Sequence, residues 1–378
     1  MHVLQISFFV DDERRSPERL LEDWHSLEDI AVAVASAGDR VTVVQASLAP
    51  GALTRRGVDF VFIAPGESLA KSEELGRLLR DRPPDVVHVH GLGFPRDVLA
   101  LRELIPDVPI LLQDHGNRVP RLWRRPAWRR AAAAIDGVAF CALPHAERFV
   151  QARLMPAQLP VFEIAESTSA FTPGDRAAAR AVTGLRGDPA LLSVGLLDRR
   201  KDPLTVLDGV AAAARDLPQL ELWCCFSSAP LLPAVEARIA RDPRLKDRVH
   251  LLGRVPHGQI EQLMRAADLF VLGSYREGSC FALIEALATG LTPVVTDIPS
   301  LRMLTGGGAV GELWRCGDSD ALTAALLRAS AVRGQRSRVL VRAHFDEQLS
   351  SAALGRKFAA AYRALAPRVA QARQARVG

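Results

Sequence analysis

The sequence contains no hydrophobic run long enough to cross a membrane and no paired-cysteine motif. Its apolar stretches all fall short of the roughly 18 to 20 residues that a bilayer-spanning helix needs. The five cysteines form no Cys-x-x-Cys pair, and their odd number fits reduced thiols better than a disulfide framework. The sequence therefore indicates no fold held together by disulfides and no zinc site. These absences favour a cytoplasmic protein.

A basic leader is also missing from the N-terminus. The apolar segment Met1–Val10 runs directly into Asp11, Asp12 and Glu13, so it predicts a first β-strand and not a signal peptide. The loop that follows this strand contains no glycine as far as Arg15. Two adjacent aspartates could suggest a metal site, but a lone pair of aspartates is more typical of a loop.

The length and the hydrophobic pattern together indicate two α/β domains. A chain of 378 residues with 48% hydrophobic residues can bury two separate cores. Short β-like runs alternate with helical stretches throughout, which is typical of βαβ units and parallel sheets. The longest helix of the first half is predicted from Ser16-Pro17 to Gly38, and the last from about Asp346 to Leu365. Turn-forming residues between Ser167 and Asp188 predict the domain boundary.

Two carboxylates stand eight positions apart in the segment Arg276–Glu285. The apolar run before it predicts a buried strand, the Glu-Gly-Ser sequence a turn, and Phe281–Thr289 a helix. In such a unit, free backbone N–H groups and the positive end of the helix face the carboxyl edge of the sheet. The two carboxylates would suit two hydroxyl-rich parts of one ligand, a sugar ring at Glu277 and a ribose diol at Glu285.

This segment, with the Gly-Leu-Thr-Pro-Val-Val-Thr-Asp sequence that follows it at 290–297, resembles the Glu-x7-Glu signature of retaining glycosyltransferases of family four. The resemblance implies the α/β GT-B architecture, in which two Rossmann-like doubly wound domains face each other across a cleft. We expect an N-terminal acceptor-side domain at 1–170 and a C-terminal donor-binding domain at 171–345. Residues 346–378 would form a helix that can cross back to the first domain, followed by a basic tail. The resemblance implies a nucleotide-diphosphate sugar as substrate, no cofactor and no metal.

A second predicted strand–loop–helix segment carries a cluster of cations. Gly195 permits a tight exit from the strand, and Arg199, Arg200 and Lys201 precede the next helix. Fixed cations stabilise the charge that develops on a nucleoside-diphosphate leaving group. The resemblance places Lys201 at the family's phosphate-binding lysine, whereas Leu196 stands where the family usually has an arginine. Arg199 or Arg200 could substitute from the loop, and a solvated basic loop is the alternative interpretation.

Histidines end two predicted strands of the first half, His88 and His90 in one and His115 in the other. The carboxyl ends of strands are where open α/β sheets present ligand-binding groups. The resemblance implies that His115 contacts the donor sugar near the reacting carbon. His88, between valines, is typical of a core histidine, and His90 fits either the core or the cleft.

Two further segments bear on the donor. The Gly-Arg-Val-Pro sequence after the strand near 248–253 resembles the family's backbone contact to the nucleobase, which makes Arg254 and Val255 neighbours of the ring. A buried strand end explains them equally well. The loop after the first strand departs from the family pattern, because acids at 11–13 stand where a glycine-rich loop should cover the diphosphate. Acceptor binding is an alternative role for this loop.

Six arginines and two tryptophans occupy residues 118–130, although the net charge of the whole chain is only +5. Arginine with tryptophan suits an anionic lipid surface. It also suits the phosphate of a polyprenyl or nucleotide-like acceptor, or a solvated helix whose tryptophans pack inward. No recognised nucleic-acid motif accompanies them, so we expect no nucleic-acid partner. The residues assigned to an acceptor or membrane surface are Arg121, Trp123, Arg124, Arg125 and Trp128.

The activity implied by the resemblance is transfer of a hexose-type sugar from a nucleotide-diphosphate donor to a hydroxyl, with retention at the anomeric carbon. The acceptor class is open, with glycolipid, surface polysaccharide and natural-product synthesis all compatible, and the location is the cytoplasm or the inner face of a membrane. His115, Lys201 and Glu277 are the expected catalytic residues. The amides of Gly278, Ser279, Cys280 and Phe281 would orient the sugar. Two alternatives are a GT-B-fold sugar-nucleotide epimerase and a non-catalytic sugar-nucleotide-binding protein.

Overall fold

The computed structural model describes residues 1–116 and 118–377, and gives the backbone alone at residues 25, 26 and 367–377. The chain forms two compact units. One comprises Met1–Thr168 with the segment from Ser351 onward, and the other comprises Ser169–Ser350. Each contains a sheet of mainly parallel strands connected by helices, so the two Rossmann-like α/β folds predicted from the alternating pattern are confirmed.

The first unit contains an eight-stranded sheet. In chain order its strands are β1 (His2–Ser7), β2 (Arg40–Ala46), β3 (Gly51–Arg55), β4 (Val58–Ile63), β5 (Val86–His90), β6 (Ile110–Gln113), β7 (Gly137–Phe140) and β8 (Val161–Glu163). Their spatial order is β3-β4-β2-β1-β5-β6-β7-β8, with every neighbouring pair parallel except β3 and β4. The direction of chain progression across the sheet reverses between β1 and β5. In open α/β sheets such a reversal marks the crevice where ligands bind.

Among the described residues, six α-helices precede the boundary between the units. They are α1 (Pro17–Asp23), α2 (His25–Ser36), α3 (Glu73–Asp81), α4 (Pro95–Leu104), α5 (Arg125–Ala133) and α6 (Leu143–Gln151). Apolar side chains of the central strands pack against helices α3 to α6 in one continuous core, in which the aliphatic residues of β1 and β5 are fully buried. Burial of these strands on both faces explains why they read as unbroken hydrophobic runs.

The second unit contains a six-stranded parallel sheet. Its strands are β9 (Ala190–Gly195), β10 (Glu221–Phe226), β11 (Val249–Gly253), β12 (Leu269–Leu272), β13 (Thr292–Thr296) and β14 (Glu312–Trp314), in the spatial order β11-β10-β9-β12-β13-β14. Its helices are α7 (Arg176–Thr183), α8 (Pro203–Ala213), α9 (Leu232–Arg241), α10 (His257–Ala266), α11 (Phe281–Ala288), α12 (Pro299–Leu304), α13 (Ser319–Val332) and α14 (Gln335–Gln348). The strand order reverses between β9 and β12, at the centre of the sheet.

The C-terminal helix α15 (Ser351–Val377) belongs to the first unit and packs on α2. Gly355 allows the two helices to approach closely, because a Cβ there would lie 2.2 Å from the carbonyl oxygen of Ala33. Further along, the hydroxyl of Tyr362 and Nδ1 of His88 are 2.9 Å apart, and both side chains are fully buried. The last helix is therefore an integral part of the core around β5.

The single helix predicted from Ser16 to Gly38 is wrong in its middle. Ser16 caps α1 as expected, with its hydroxyl accepting from the backbone N–H of Arg19. Trp24 then leaves the helical region (φ −113°, ψ 66°) and separates α1 from α2. Its ring centroid lies 5.4 Å from that of Phe9. No proline or glycine marks the break, so the periodic pattern continues through it.

One strand and one helix start also differ from the prediction. Strand β3 pairs antiparallel with β4 through a turn at Arg56 and Gly57, whose φ values are 49° and 78°. Because β3 is an edge strand with mostly exposed side chains, it lacks the alternating apolar pattern that would have revealed it. The last helix was predicted to begin near Asp346, but it begins at Ser351. Asp346 lies in α14, which ends where the buried Leu349 leaves the helical conformation.

Candidate functional site

The candidate site of the second unit lies where the strand order reverses. Strands β9 and β12 are neighbours there, and both predicted donor motifs are loops that begin at their carboxyl ends. The loop at 196–202 leads from β9 into α8, and the loop at 273–280 leads from β12 into α11. Parallel strands end at the same edge of a sheet, so the topology alone brings the two loops together.

Glu277 is the centre of this site. Its side chain is 6% exposed, and three donors hold its carboxylate. Lys201 Nζ lies 2.6 Å from Oε1, the Ser274 hydroxyl donates to the same oxygen at 2.5 Å, and Arg200 donates to Oε2 at 3.2 Å. A buried carboxylate needs such partners, because without them its desolvation would be costly. The structure therefore joins the residue predicted to bind phosphate to the residue predicted to bind the sugar.

Arg200 is the loop arginine that reaches the centre of the site. Its side chain is 37% exposed and also lies 3.9 Å from Asp198. Arg199 is exposed, and Leu196, at the position where the resembled family usually has an arginine, is half-buried. Of the two candidates for the missing cation, the geometry favours Arg200.

The backbones of the two loops are in direct contact, and this fixes the loops relative to each other. A Cβ on Gly273 would lie 3.1 Å from the carbonyl oxygen of Lys201 and 3.2 Å from that of Asp202, so glycine permits the close approach. The Tyr275 N–H donates to the carbonyl of Arg200 at 2.9 Å. Asp202 adopts a left-handed backbone (φ 47°) and caps α8. These contacts position Lys201 against Glu277.

The N-terminus of α11 faces the same loop and has no side-chain cap among the described residues. Its N-cap is Cys280, which is buried. Burial raises the pKa of the Cys280 thiol to about 11, so it remains a neutral thiol near pH 7. The partial positive charge of the helix end is consequently not neutralised by a capping carboxylate. Gly278, Ser279 and Phe281 belong to this turn, as predicted, and the Phe281 side chain is exposed.

Glu285 has a partner that the sequence did not reveal. The His257 ring nitrogen Nε2 lies 2.6 Å from Glu285 Oε1, and the two side chains are 53% and 16% exposed. His257 is the first residue of α10, directly after the segment that contains Arg254 and Val255. The residue predicted to hold a ribose is therefore tied to the segment predicted to lie beside the base. A histidine 28 positions from its partner leaves no signal in a motif search.

In the first unit, His115 is held between a carboxylate and a second histidine. Its Nδ1 lies 2.9 Å from the carboxylate of Glu166, and its Nε2 lies 3.2 Å from Nδ1 of His90. The His115 side chain is 29% exposed and the Glu166 side chain 6%. Glu166 follows β8 in an irregular segment without any recognisable motif, which is why sequence reasoning missed it.

The other two histidines are buried. Burial, with a smaller effect of His115, lowers the pKa of His88 from 6.5 to about 3. Burial, followed by the charges of His88 and His115, lowers the pKa of His90 well below 6.5. Both rings are therefore neutral near pH 7. His88 is a core histidine as predicted, whereas His90 is buried but in contact with His115.

The acidic loop after β1 is braced by its own residues. Asp11 is 3% exposed, accepts hydrogen bonds from the backbone N–H groups of Glu13 and Arg15, and forms an ion pair with the Arg15 guanidinium at 2.6 Å. Within residues 1–116 and 118–377, no three or more His, Cys, Asp or Glu side chains are grouped to hold a metal ion. The contacts of Asp11 explain its burial without a ligand.

The arginine-rich segment splits into an exposed part and a buried part. Leu122 and Trp123 are 72% and 70% exposed, with the Arg121 guanidinium 5.3 Å from the Trp123 ring. Arg124 is exposed, and Arg125 donates to a backbone carbonyl. Trp128 was assigned to the surface, and that assignment is wrong.

Trp128 is 7% exposed and packs 5.6 Å from the ring of Phe149 in the core. It lies one turn into α5, on the face that the helix turns towards the sheet. None of the helices in the described part of the chain has both the length and the hydropathy of a membrane span.

Sequence profiles of two glycosyltransferase families match this chain in succession. Residues 25–161 match Glycosyltransferase Family 4, and residues 175–341 match Glycosyl transferases group 1. The second match contains the Lys201–Glu277 pair and the Glu285–His257 pair.

Curated relatives match over part of their length. The chain is 28% identical over 237 residues to a GDP-mannose:cellobiosyl-diphosphopolyprenol alpha-mannosyltransferase of Xanthomonas campestris, covering 60% of each chain. It is 32% identical over 151 residues to a D-inositol 3-phosphate glycosyltransferase of Nocardia farcinica, covering 38% of this chain and 34% of the relative. The chain thus spans less than two thirds of the curated relatives it matches.

Solved structures match nearly the whole chain. A glycosyltransferase from Rickettsia africae gives a TM-score of 0.71 at 12% identity, covering 96% of this chain and 98% of its own. HepE of Anabaena, solved in complex with UDP, gives 0.69 at 16% identity, covering 97% and 100%. At these identities the likeness shows the fold, which is GT-B. With both family profiles in order along one GT-B chain, the protein belongs to the family 4 glycosyltransferases.

Proposed function

We propose that the protein transfers a hexose from a nucleotide-diphosphate donor to an acceptor hydroxyl, with retention at the anomeric carbon. The observation that carries the proposal is the contact of Lys201 Nζ with Glu277 Oε1 at 2.6 Å, at the strand-order reversal of the second unit. It places a cation suited to a diphosphate beside a carboxylate suited to sugar hydroxyls. The names of the relatives support a nucleotide-sugar donor, since one is named for GDP-mannose and one solved neighbour contains UDP.

Each part of the donor has a partner in this proposal. Lys201 and Arg200 bind the diphosphate, together with the uncapped N-terminus of α11. Glu277 orients the sugar hydroxyls, and Glu285 binds the ribose diol after exchanging its contact with His257. Arg254 and Val255 border the base. His115 is the proposed catalytic residue of the first unit, where Glu166 orients its ring.

The proposed reaction is a same-face displacement. The bond between the anomeric carbon and the departing phosphate oxygen breaks, the bond to the acceptor oxygen forms on the same face, and the acceptor proton passes to the departing oxygen. The residues that this chain supplies act by positioning and by stabilising the charge on the diphosphate. Glu277 holds Lys201 and Arg200 in place, and the diphosphate takes over these two cations when the donor binds.

Turnover in the presence of a panel of sugar nucleotides tests the proposal. UDP-, GDP-, TDP- and ADP-hexoses are screened by thermal shift, and the stabilising donors are then assayed for transfer to saccharide and lipid-linked acceptors. We expect Glu277→Gln to lose at least about 100-fold in kcat/KM while its thermal unfolding remains cooperative. Proton NMR of the product should show the anomeric configuration of the donor. An inverted product would overturn retention, and wild-type rates in Glu277→Gln would overturn the site.

The same assay separates the two alternatives. An epimerase would interconvert donors without consuming an acceptor, and the matches to glycosyltransferases do not favour it. A non-catalytic binding protein would be stabilised by a donor but would neither transfer nor hydrolyse it.

We also propose that Arg121, Leu122, Trp123, Arg124 and Arg125 form a contact surface for an anionic membrane. Two adjacent apolar side chains that are more than two-thirds exposed are unusual without a partner, and the guanidinium groups beside them match anionic headgroups. The polyprenol-linked acceptor in the name of the Xanthomonas relative supports a membrane-bound acceptor. The protein would then work at the inner face of a membrane.

A further inference from the structure

The first unit has a cavity of about 400 Å³ at the carboxyl edge of its sheet. It lies where the order of strands reverses, beside the ends of β1 and β5. Its lining includes two histidines, His90 and His115, and three aromatic residues, Phe9, Trp24 and Phe94. This volume lies within the range of about 300 to 1,000 Å³ that is usual for small-molecule sites.

Two aromatic rings that line this cavity lie beside each other. The Phe9 side chain is 55% exposed and stands 5.4 Å from the ring of Trp24, tilted by 59°. Trp24 occupies the break between α1 and α2, the position that the helical pattern did not predict. The break turns the indole away from the helical course and towards Phe9. Together the rings offer an apolar platform beside hydrogen-bonding groups.

The residues that line the cavity include no carboxylate, ammonium or guanidinium group. Arg15 lies between Phe9 and Trp24 in the chain. Its guanidinium is shared among three carboxylates, Asp11 at 2.6 Å, Glu13 at 2.6 Å and Asp23 at 3.0 Å. An acceptor phosphate bound here would be desolvated without a paired cation, which is costly.

The polar groups that line the cavity suit the hydroxyls of a ligand and not a phosphate. His90 and His115 are in contact, and burial keeps the pKa of His90 well below 6.5, so its ring is neutral near pH 7. Ser7 adds a hydroxyl at the end of β1, and Gln45 adds an amide near the end of β2. The Gln45 Nε2 group donates to the carbonyls of Phe9 and Ala46, so its Oε1 is the atom that can accept from a sugar hydroxyl. Neutral donors and acceptors beside an aromatic face are the combination that binds a pyranose, whose C–H face packs on the rings while its hydroxyls bond to the rim.

We propose that this cavity binds the acceptor as an uncharged saccharide unit, with its ring against Phe9 and Trp24 and its hydroxyls against Ser7, Gln45 and His115. Nε2 of His115 would exchange its contact with His90 for a sugar hydroxyl. This inference rests on the proposed transfer function and names its acceptor class. The proposed acceptor class differs from that of the relative named for D-inositol 3-phosphate. The residues that line this cavity include no lysine or arginine to pair with the phosphate of such an acceptor. The braced acidic loop after β1 then serves to hold Phe9 at the rim of the acceptor cavity.

The test compares neutral and anionic probes by saturation-transfer NMR on the full chain. Cellobiose, lactose and maltose are the neutral probes, and 1D-myo-inositol 3-phosphate is the anionic one. We expect at least one neutral disaccharide to bind, and to bind more tightly than the inositol phosphate. Phe9→Ala should weaken that binding at least about 10-fold, and it opens no core cavity because Phe9 is 55% exposed. Trp24→Phe, which keeps an aromatic face, should weaken it less than about 3-fold, whereas Trp24→Ala should match Phe9→Ala.

Leu104→Ala provides the matched control, because Leu104 is 45% exposed and lies at the end of α4. It should leave saccharide affinity unchanged. Binding of UDP and GDP is measured in parallel on each variant. If neither nucleotide binds and no donor is turned over, the proposed function fails. If a nucleotide binds but no neutral saccharide does, or if Phe9→Ala leaves saccharide affinity at the wild-type value, the acceptor assignment alone is overturned.

Discussion

Lys201 and Glu277 come from loops 76 residues apart, yet the ammonium nitrogen and the carboxylate oxygen lie 2.6 Å apart, both largely buried. In this contact the two charges compensate each other. A diphosphate would compete with Glu277 for Lys201, and a sugar hydroxyl would compete with Lys201 for Glu277. Both exchanges can take place when one ligand carries both groups, so the pair couples recognition of the two halves of the donor.

Substitutions of Lys201 and of Glu277 should affect the binding of a nucleoside diphosphate differently. Lys201→Ala should weaken binding of a nucleoside diphosphate about 10- to 100-fold, because it removes a charge-assisted contact. Glu277→Gln should leave that affinity within about 3-fold or strengthen it, because it releases Lys201 for the phosphate. Isothermal titration with UDP and GDP measures both. Glu312→Gln is the control, since it alters an exposed ion pair with Arg328 in the same unit. Equal losses in both site variants would argue against separate roles.

Glu285 should determine discrimination of the ribose. If its carboxylate accepts from the sugar diol, wild type should bind a ribonucleoside diphosphate about 10-fold or more tightly than its 2′-deoxy analogue. Glu285→Ala should remove that preference and bind both equally weakly. His257→Ala should retain the preference, because it only removes the partner that Glu285 leaves on binding. A preference that survives in Glu285→Ala would place the diol elsewhere.

Glu166 should act through His115. The carboxylate is 2.9 Å from Nδ1, so it accepts a hydrogen bond when Nδ1 carries the proton and fixes the direction of Nε2. Glu166→Ala should lower kcat about 10-fold with a small change in donor KM, and Glu166→Gln, which retains an acceptor oxygen, should recover most of the loss.

His115→Ala and Glu166→Ala combined should cost no more than His115→Ala alone, because they share one function. Glu163→Gln is the control, since the exposed Glu163 accepts from the backbone N–H of Leu143 and glutamine keeps an acceptor oxygen there. Additive losses in the double variant would indicate independent roles for the histidine and the carboxylate.

The exposed Leu122–Trp123 pair should govern binding to anionic membranes. Trp123→Ala should reduce co-sedimentation with vesicles of phosphatidylglycerol several-fold, and binding should fall as salt is raised, because arginine contacts to headgroups are screened. Phosphatidylcholine vesicles should bind weakly throughout. Val182→Ala is the matched control, since Val182 is 78% exposed in the second unit. Equal binding of Trp123→Ala and wild type would exclude this surface.

The buried His88 should make the protein acid-sensitive. Its pKa in the folded protein is about 3, against 6.5 when exposed, so its contribution to stability is complete above pH 6.5 and is lost as the pH falls towards 3. The loss is at most about 1.4 kcal/mol per pH unit for one histidine. His88→Asn should therefore show a smaller fall in melting temperature between pH 7 and pH 5 than wild type. His90 leaves a residual slope because its pKa is lowered too. The same slope in both proteins would contradict this account.

Local patterns were sufficient to locate most strands of the two sheets and the loops that carry the predicted donor motifs. The central strands are buried on both faces, so their hydrophobic runs are visible without knowing what covers them. The turn before α11 and the cationic loop before α8 are short segments whose chemistry is carried by adjacent residues. Edge strand β3 and the break at Trp24 escaped, because exposed residues and tertiary ring contacts leave no periodic signal.

What the sequence by itself determined is the succession of strands and helices, the Glu-x7-Glu segment and the lysine before α8, because these depend on neighbours a few positions apart. The tertiary structure alone decided which charges meet. Parallel strands bring loops from distant parts of the chain to one edge of a sheet, and this joins Lys201 to Glu277, Glu285 to His257, and His115 to Glu166. It also decided that Trp128 is core while Trp123 is surface, since the orientation of α5 on its sheet determines which indole is buried.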